Sequence, residues 1–281
     1  MKYITAMGVT SILLLSACST DKAEKQDEGA IEEMPQGETD QEVEEEIVPP
    51  EEDHEEETEE AAGDVQVEKL YEINEVNWSV QPIGEADPQV ALLTIDDAPD
   101  KYGVEMAHTL KEMNVHAIFF VNGHFLDTPE EEEKLKEIHE LGFPIGNHTF
   151  SHPNLRDLTE EEQREEIVSL NDRVEEIIGE RPVFFRAPFG ANTDFTEQLA
   201  LEEGMLLMNW TYGYDWEVEY QDAAALSDIM VNTEFLANGA NLLMHDRAWT
   251  NEALPSLVTG LRNKGYEFVD PAAIVRPGDE N

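Results

Sequence analysis

The sequence predicts an α/β fold, a distorted (β/α) barrel of about seven parallel strands in a single domain, on three observations. From about residue 75, short apolar runs alternate with longer amphipathic ones, as repeated strand-helix units do. The 281 residues leave room for one core of about 200 residues beside an amino-terminal extension, which suits one folded unit and not two. Polar residues able to carry chemistry stand at the carboxyl ends of several different apolar runs. A barrel gathers that many strand ends around one mouth, which an open doubly wound sheet does not.

The amino end reads as a targeting segment. Lys2 supplies a positive charge, Ile4 to Leu15 an apolar stretch, and Leu15-Ser16-Ala17-Cys18 a small-residue cleavage site, so residues 1–17 are expected to be a secretory signal. The tetrad resembles a bacterial lipobox, which implies lipid on the sulfur of Cys18 and an extracytoplasmic domain anchored to the cell membrane as a lipoprotein. An uncleaved span is disfavoured because the apolar run is shorter than the roughly 20 residues a membrane crossing needs. Cys18 is the only cysteine, so no disulfide forms within the chain.

From Asp21 to Glu68 there are 22 acidic residues against two lysines, with few large apolar side chains. Such a composition buries too little surface to fold, so residues 18–74 are expected to be a lipidated, disordered acidic linker, with His54 incidental to it. The folded part is expected over 75–281. The acidity continues there: of the formal net charge of -47, the residues from Lys69 onward hold -28. A surface this negative excludes nucleic acid and anionic lipid headgroups as partners and suits a saline or alkaline exterior, where salt screens self-repulsion.

Seven runs read as strands: Val90–Asp96, His116–Val121, Phe143–Asn147, Val183–Arg186, Met205–Trp210, Asn241–His245 and Tyr266–Val269. Helical patterns lie between them at Lys101–Asn114, Pro129–Leu141, Glu160–Ile178, Asp194–Glu203, Ala223–Ala237 and Asn251–Lys264. Glu160–Ile178 is the clearest. Ile167, Leu170, Val174, Ile177 and Ile178 share a stripe, Thr159 and Glu162 form a capping box, and Gly179 closes the far end.

The chemistry centres on Gly146-Asn147-His148-Thr149-Phe150-Ser151-His152-Pro153, which places two imidazoles four residues apart where an apolar run ends. With Asp97 they make a carboxylate and two imidazoles, a ligand set that leaves a position open for water as catalytic zinc sites do. The pair Asp96-Asp97 directly follows a strand. Adjacent side chains on a strand point different ways, so one carboxylate binds metal while the other stays free as a base. His245 finishes another apolar strand and is a candidate general acid. His108, His116 and His139 fall in or beside helices and read as surface residues. His124, after a strand, stays outside the catalytic set.

These residues resemble the polysaccharide deacetylases of the carbohydrate esterase type, the NodB homology domain, over about residues 80 to 272. Five family motifs appear in order as Thr94-Ile95-Asp96-Asp97, His148-Thr149-Phe150-Ser151-His152, Arg186-Ala187-Pro188-Phe189-Gly190, Asp215-Trp216 and Leu243-Met244-His245. The resemblance implies that Asp97, His148 and His152 hold Zn2+ or another divalent transition metal. It implies that Asp96 is the base deprotonating the attacking water, that Arg186 orients Asp96, and that the backbone N–H of Phe189 helps stabilise the oxyanion. His245 is then the acid that protonates the departing amine and Asp215 its carboxylate partner, while Trp216 and Leu243 form an apolar slot for the acetyl methyl.

The sequence departs from the family where Ile95 replaces a usual Phe and Ala98 a usual Gly, changes that remove no chemical group, and where Phe189 replaces a residue that is often Tyr, whose implied role survives because the donor there is backbone. The implied activity is hydrolysis of N-acetyl groups on an extracellular or cell-wall polysaccharide, peptidoglycan or chitin-like. An O-acetyl esterase on the same site and a catalytically silent glycan-binding lipoprotein are the alternatives, because a fold alone does not guarantee chemistry. The expected partners are the acetylated polysaccharide and, through the lipid anchor only, a membrane. The chain is expected to act as a monomer.

Overall fold

A computed structural model of the chain describes residues 67–279. The expected signal over 1–17, the lipidated Cys18 and the acidic stretch up to residue 66 lie outside the described residues. Among the described residues no helix is long and apolar enough to cross a membrane.

The described residues open with a small antiparallel pair, β1 (Tyr71–Ile73) and β2 (Val80–Pro82). The main run then alternates strand and helix: β3 (Val90–Ala98), α1 (Gly103–Glu112), β4 (Ala117–Val121), α2 (Pro129–Glu140), β5 (Ile145–Asn147), α3 (Glu160–Ile178), β6 (Phe184–Phe185) and α4 (Asp194–Glu202). It continues with β7 (Leu206–Leu207), α5 (Ala223–Asn232), β8 (Ala240–His245), α6 (Ala248–Asn263) and β9 (Glu267–Phe268). The strands of the second group are all parallel, in the order β7-β6-β5-β4-β3-β8, with β9 paired to the start of β3.

One segment closes this sheet into a barrel. Leu206 and Leu207 pair with β6 on one edge, and five residues on Tyr212 bridges to Leu242 of β8 on the other. The expected strand Met205–Trp210 is therefore shorter as a strand, and the chain running on from it spans both edges of the sheet.

Side-chain alternation sorts the strands into two layers. Val90 and Leu92 of β3 join Ile118, Phe120, Phe184 and Met208 inside the barrel, while Ala91, Leu93 and Ile95 join Phe119, Val121 and Ile145 against the helices. Thr94 and Asp96 continue the inward set of β3. The barrel interior is thus apolar for most of its depth and polar at the carboxyl ends of its strands, where barrel sites are built.

Of the boundaries that differ from expectation, two have a clear physical cause. The folded part starts before residue 75, because Tyr71 and Val80 pack into the barrel core, the Leu70 N–H donates to the Ala273 carbonyl, and Lys69 pairs with Asp279 at 2.9 Å. Gly239, at φ 73°, passes so close to Val80 that a Cβ there would collide with its carbonyl. Helix α5 stops at Asn232 and not Ala237, since Thr233 turns extended and its hydroxyl pairs with that of Tyr214 at 2.7 Å.

Candidate active site

The end of β3 carries an irregularity that the chemistry depends on. Pairing with β4 shifts register between Ile95 and Ala98, and Asp97 takes the left-handed φ of 62°. Asp is among the few residues that adopt this conformation without severe strain. The consequence corrects the expectation that the two aspartates diverge: both carboxylates face the cleft, and His148 Nε2 lies 3.5 Å from Asp96 Oδ2 and 3.9 Å from Asp97 Oδ1.

The loop after β5 supplies the imidazoles, and its shape is held from three sides. Thr149 and His152 have φ of 69° and 60°, conformations that persist only when neighbours enforce them. Asn147 Oδ1 accepts from the Thr149 N–H at 2.8 Å, and Asn122 Nδ2 donates to the carbonyls of His148 and Thr149. Glu166 of α3 accepts from both the backbone and the hydroxyl of Ser151. The result sets His152 Nε2 at 3.4 Å from Asp97 Oδ1.

Asp97, His148 and His152 each offer one ligand atom, all within 4.8 Å of one another. Two donors about 2.0–2.1 Å from one tetrahedral ion stand about 3.3 Å apart, so this spacing is close to what a single cation requires. The tautomer fits as well. His148 Nδ1 donates to the Arg186 carbonyl at 2.8 Å, which leaves the Nε2 lone pair toward Asp97. Burial holds the His148 imidazole below its ordinary pKa against the opposing pull of Asp96 and Asp97, so the ring is neutral and able to ligate. For Asp97, burial pushes the carboxyl up, but His148, His245, His152 and Arg247 together outweigh it and hold the group below the usual carboxylate range.

Asp96 is bound differently. The fully buried Arg186 donates through Nη1 to Asp96 Oδ1 at 2.6 Å and to Thr94 Oγ1 at 2.7 Å, and through Nη2 to the Asn209 carbonyl at 2.9 Å. Its guanidinium lies over the Phe120 ring, 4.3 Å from the centroid. Asp96 Oδ2 is left on the side of His148 and the cleft.

At the end of β8 His245 stands in register beside Asp96 of β3; its Nδ1 meets Asp215 Oδ1 at 2.7 Å, while Asp215 Oδ2 accepts from the His245 backbone N–H and the Thr250 hydroxyl. The Asp215 carbonyl accepts from Trp249 Nε1 at 2.8 Å. Burial lowers the His245 pKa, yet the Asp215 hydrogen bond and the charges of Asp215, Asp96 and Asp97 outweigh it and raise the group above its ordinary value. Asp246 points away and accepts from the N–H groups of Lys101, Tyr102 and Gly103 at the start of α1.

The cleft holds about 590 Å³ and includes Phe189, Trp216 and Leu243 in its lining. Phe189, at φ 60°, is 68% exposed and sets its ring edge-on to His152; Trp216, 43% exposed, stands edge-on to His245. Leu243 is buried beneath them. Gly213 permits this arrangement, because a Cβ there would strike the Leu243 carbonyl and crowd the Trp216 ring. Every sequence-predicted site residue of the described chain except Arg186 lines the cleft, and Arg186 reaches it through Asp96. His124 does not line it.

Sequence reasoning missed Arg247, Trp249, Trp210 and Gln221 in the lining and Thr94 and Asn209 behind it. Arg247, two residues past His245, donates through Nη2 to Asp97 Oδ2 at 2.7 Å. Its position just beyond the last motif was the one available signal.

Comparison with known proteins agrees with this fold. The sequence profile described as polysaccharide deacetylase matches residues 83–208. A peptidoglycan-N-acetylglucosamine deacetylase of Bacillus cereus is 31% identical over 190 residues, 64% of this chain and 68% of the relative. The peptidoglycan-N-acetylmuramic acid deacetylase PdaA of Bacillus subtilis is 28% identical over 191 residues, 66% of this chain and 71% of the relative. A crystal structure of a CE4 family pseudoenzyme from Bacillus anthracis superposes with a TM-score of 0.59 at 27% identity, covering 65% of this chain and 64% of that one. The match thus spans about two thirds of each relative's own length. With sequence profile, relatives and barrel in agreement, the chain belongs to the polysaccharide deacetylase family.

Proposed function

We propose that the protein is a metal-dependent hydrolase that removes N-acetyl groups from a cell-wall polysaccharide, with peptidoglycan as the first substrate class. The observation that carries this reading is the convergence of two groups on one cleft from either side of β3. The Asp96 carboxylate, backed by Arg186, faces the Asp97, His148 and His152 cluster on one side, and the His245-Asp215 pair stands on the other.

Asp97, His148 and His152 would hold the cation, zinc by the family resemblance. When bound, it supplies Lewis-acid activation of water and of the acetyl carbonyl. Asp96 Oδ2 takes the proton of the attacking water while Arg186 keeps Oδ1 in place. The backbone N–H of Phe189 donates to the oxyanion that develops as water adds to the carbonyl carbon. His245, protonated and held at Nδ1 by Asp215, gives its proton to the amine nitrogen as the C–N bond breaks. One amide and one water become a protonated amine and acetate. Trp216 and Leu243 provide apolar surface for the acetyl methyl.

A relative described as a pseudoenzyme makes a silent glycan binder a real competitor. Retention of Asp96, Arg186 and the His245-Asp215 pair favours the enzyme, since a binder needs none of them. The same groups serve an O-acetyl ester, whose alkoxide leaves more readily than an amine. Incubating the zinc-loaded protein with N-acetylated peptidoglycan, chitin oligomers and O-acetylated xylan, and measuring acetate, tests the reading. Release from the N-acetyl glycans supports it, release from xylan alone assigns the esterase, and release from none assigns the binder.

We also propose that the protein works outside the cytoplasm, tethered through Cys18, on the strength of Leu15-Ser16-Ala17-Cys18 after a short apolar run.

A further inference from the structure

We infer that Arg247 makes the cleft selective for an acetamido sugar that carries its own carboxylate beside the reacting acetamide, an inference that rests on the deacetylase reading above. Among the described residues Arg247 is the one Lys or Arg in the lining of the cleft, and its side chain is 36% exposed. It is also pre-organised. Nη1 donates to the Asp246 carbonyl at 2.8 Å and Nη2 to Asp97 Oδ2 at 2.7 Å, while Asp246 is itself clamped on the start of α1.

Those two bonds use two of the five N–H donors of the guanidinium. The Nε–H and one hydrogen on each terminal nitrogen find no acceptor among the described residues. Donors held in a planar fork match a carboxylate, and a hydrogen bond between two charged partners is stronger than a neutral one. The rest of the domain makes such a group conspicuous. With -28 on the residues from Lys69 onward, the long-range field repels anions, so an anionic substituent is accepted only where a fixed cation meets it. Asp97 does not cancel that cation once its other oxygen serves a divalent ion, and Asp96 is already matched by Arg186.

The position of Arg247 says which carboxylate. A group bonded to Asp97 lies within one sugar ring of the reacting acetamide. In N-acetylmuramic acid the lactyl ether on C3 places a carboxylate next to the acetamide on C2, whereas N-acetylglucosamine has a neutral hydroxyl there. One guanidinium beside the metal ligands therefore separates the two classes of acetamido sugar.

The test uses the zinc-loaded mature protein and three oligosaccharides that differ only on the reacting sugar: a free lactyl carboxylate, its carboxamide, and a lactyl amide extended by a peptide bearing carboxylates. The free carboxylate is expected to exceed the carboxamide by about tenfold or more in kcat/KM, and Arg247→Gln to collapse that ratio toward one, whatever its overall turnover. Binding to Asp96→Asn protein, measured by calorimetry, should show the same ratio. Equal treatment of carboxylate and carboxamide by wild-type protein overturns the inference even if Arg247→Gln does not fold. So does an unchanged ratio in Arg247→Gln, and so does a preference for the peptide-bearing sugar, which assigns the anion to the peptide. Binding selectivity without acetate release from any substrate leaves the Arg247 assignment standing and rejects the deacetylase.

Discussion

The backbone carbonyl of Arg186 accepts from His148 Nδ1 at 2.8 Å, so the residue whose guanidinium holds Asp96 also fixes the ring that faces the metal position. The two functions sit on different atoms and are separable. Arg186→Met is expected to retain zinc, because the carbonyl remains, and to lose turnover, because Asp96 loses its partner. It also strands a buried carboxylate and should destabilise the fold by about 3–5 kcal/mol, read by denaturant unfolding. Zinc loss in a folded Arg186→Met protein would refute the separation.

Asp96 and Asp97 should part company in the same way. Replacing Asp97, His148 or His152 by Ala is expected to empty the site of zinc, measured by atomic emission. Asp96→Asn should keep the ion and lose on the order of 10²–10⁴ in turnover, the range associated with one general base. Equal zinc loss in Asp96→Asn would exchange the roles of the two.

The pH profile reports the His245-Asp215 pair. His245 must be protonated to act as an acid, and Asp215 raises its pKa, so activity falls as pH rises through that raised value. Asp215→Asn removes the charge while keeping the shape, which lowers the His245 pKa. The basic limb of kcat/KM should therefore move to lower pH, with zinc content unchanged. A basic limb that stays in place would pass the partnership to another residue.

The amino-terminal boundary yields a stability test. A chain beginning at Val67 keeps the ion pair of Lys69 with Asp279 and the pairing of β1 with β2, whereas one beginning at Glu75 loses both. The first should match the turnover of the mature protein on a soluble oligosaccharide. The second should melt several degrees lower. A large loss of turnover in the first would give the acidic stretch a part in the site.

Much of this was legible because it is written in short-range patterns. The stripe and capping box of α3 gave its ends to the residue, since Thr159, Glu162 and Gly179 are local determinants. All seven expected strands appear because each is an apolar run between turn signals. What escaped notice depends on tertiary context. Tyr71–Ile73 is too short and too near the acidic stretch to read as a strand until Val80 and the barrel floor are in place. The turn that brings Asp97 to the cleft is a register shift against β4, and nothing in the pair Asp96-Asp97 announces it. Arg247 joins the site only because α6 begins at Ala248, three residues before the expected start, and the residue ahead of it is aimed at Asp97.

The segment that runs from β7 to Tyr212 has a further consequence. It pairs with β6 over two residues and with β8 over one, with Thr211 and Asn241 adding hydrogen bonds there, so among the described strands that join two neighbours it is the most sparsely paired stave of the barrel. Midway along it the Asn209 carbonyl receives both Arg186 Nη2 and Asn241 Nδ2. Parting of this stave therefore withdraws a prop from the guanidinium that steadies Asp96, while the helices and remaining strands stay as they are. On warming, the molecule should fall silent before it melts, and its amide protons along residues 206–212 should trade with solvent ahead of those in β3 and β4.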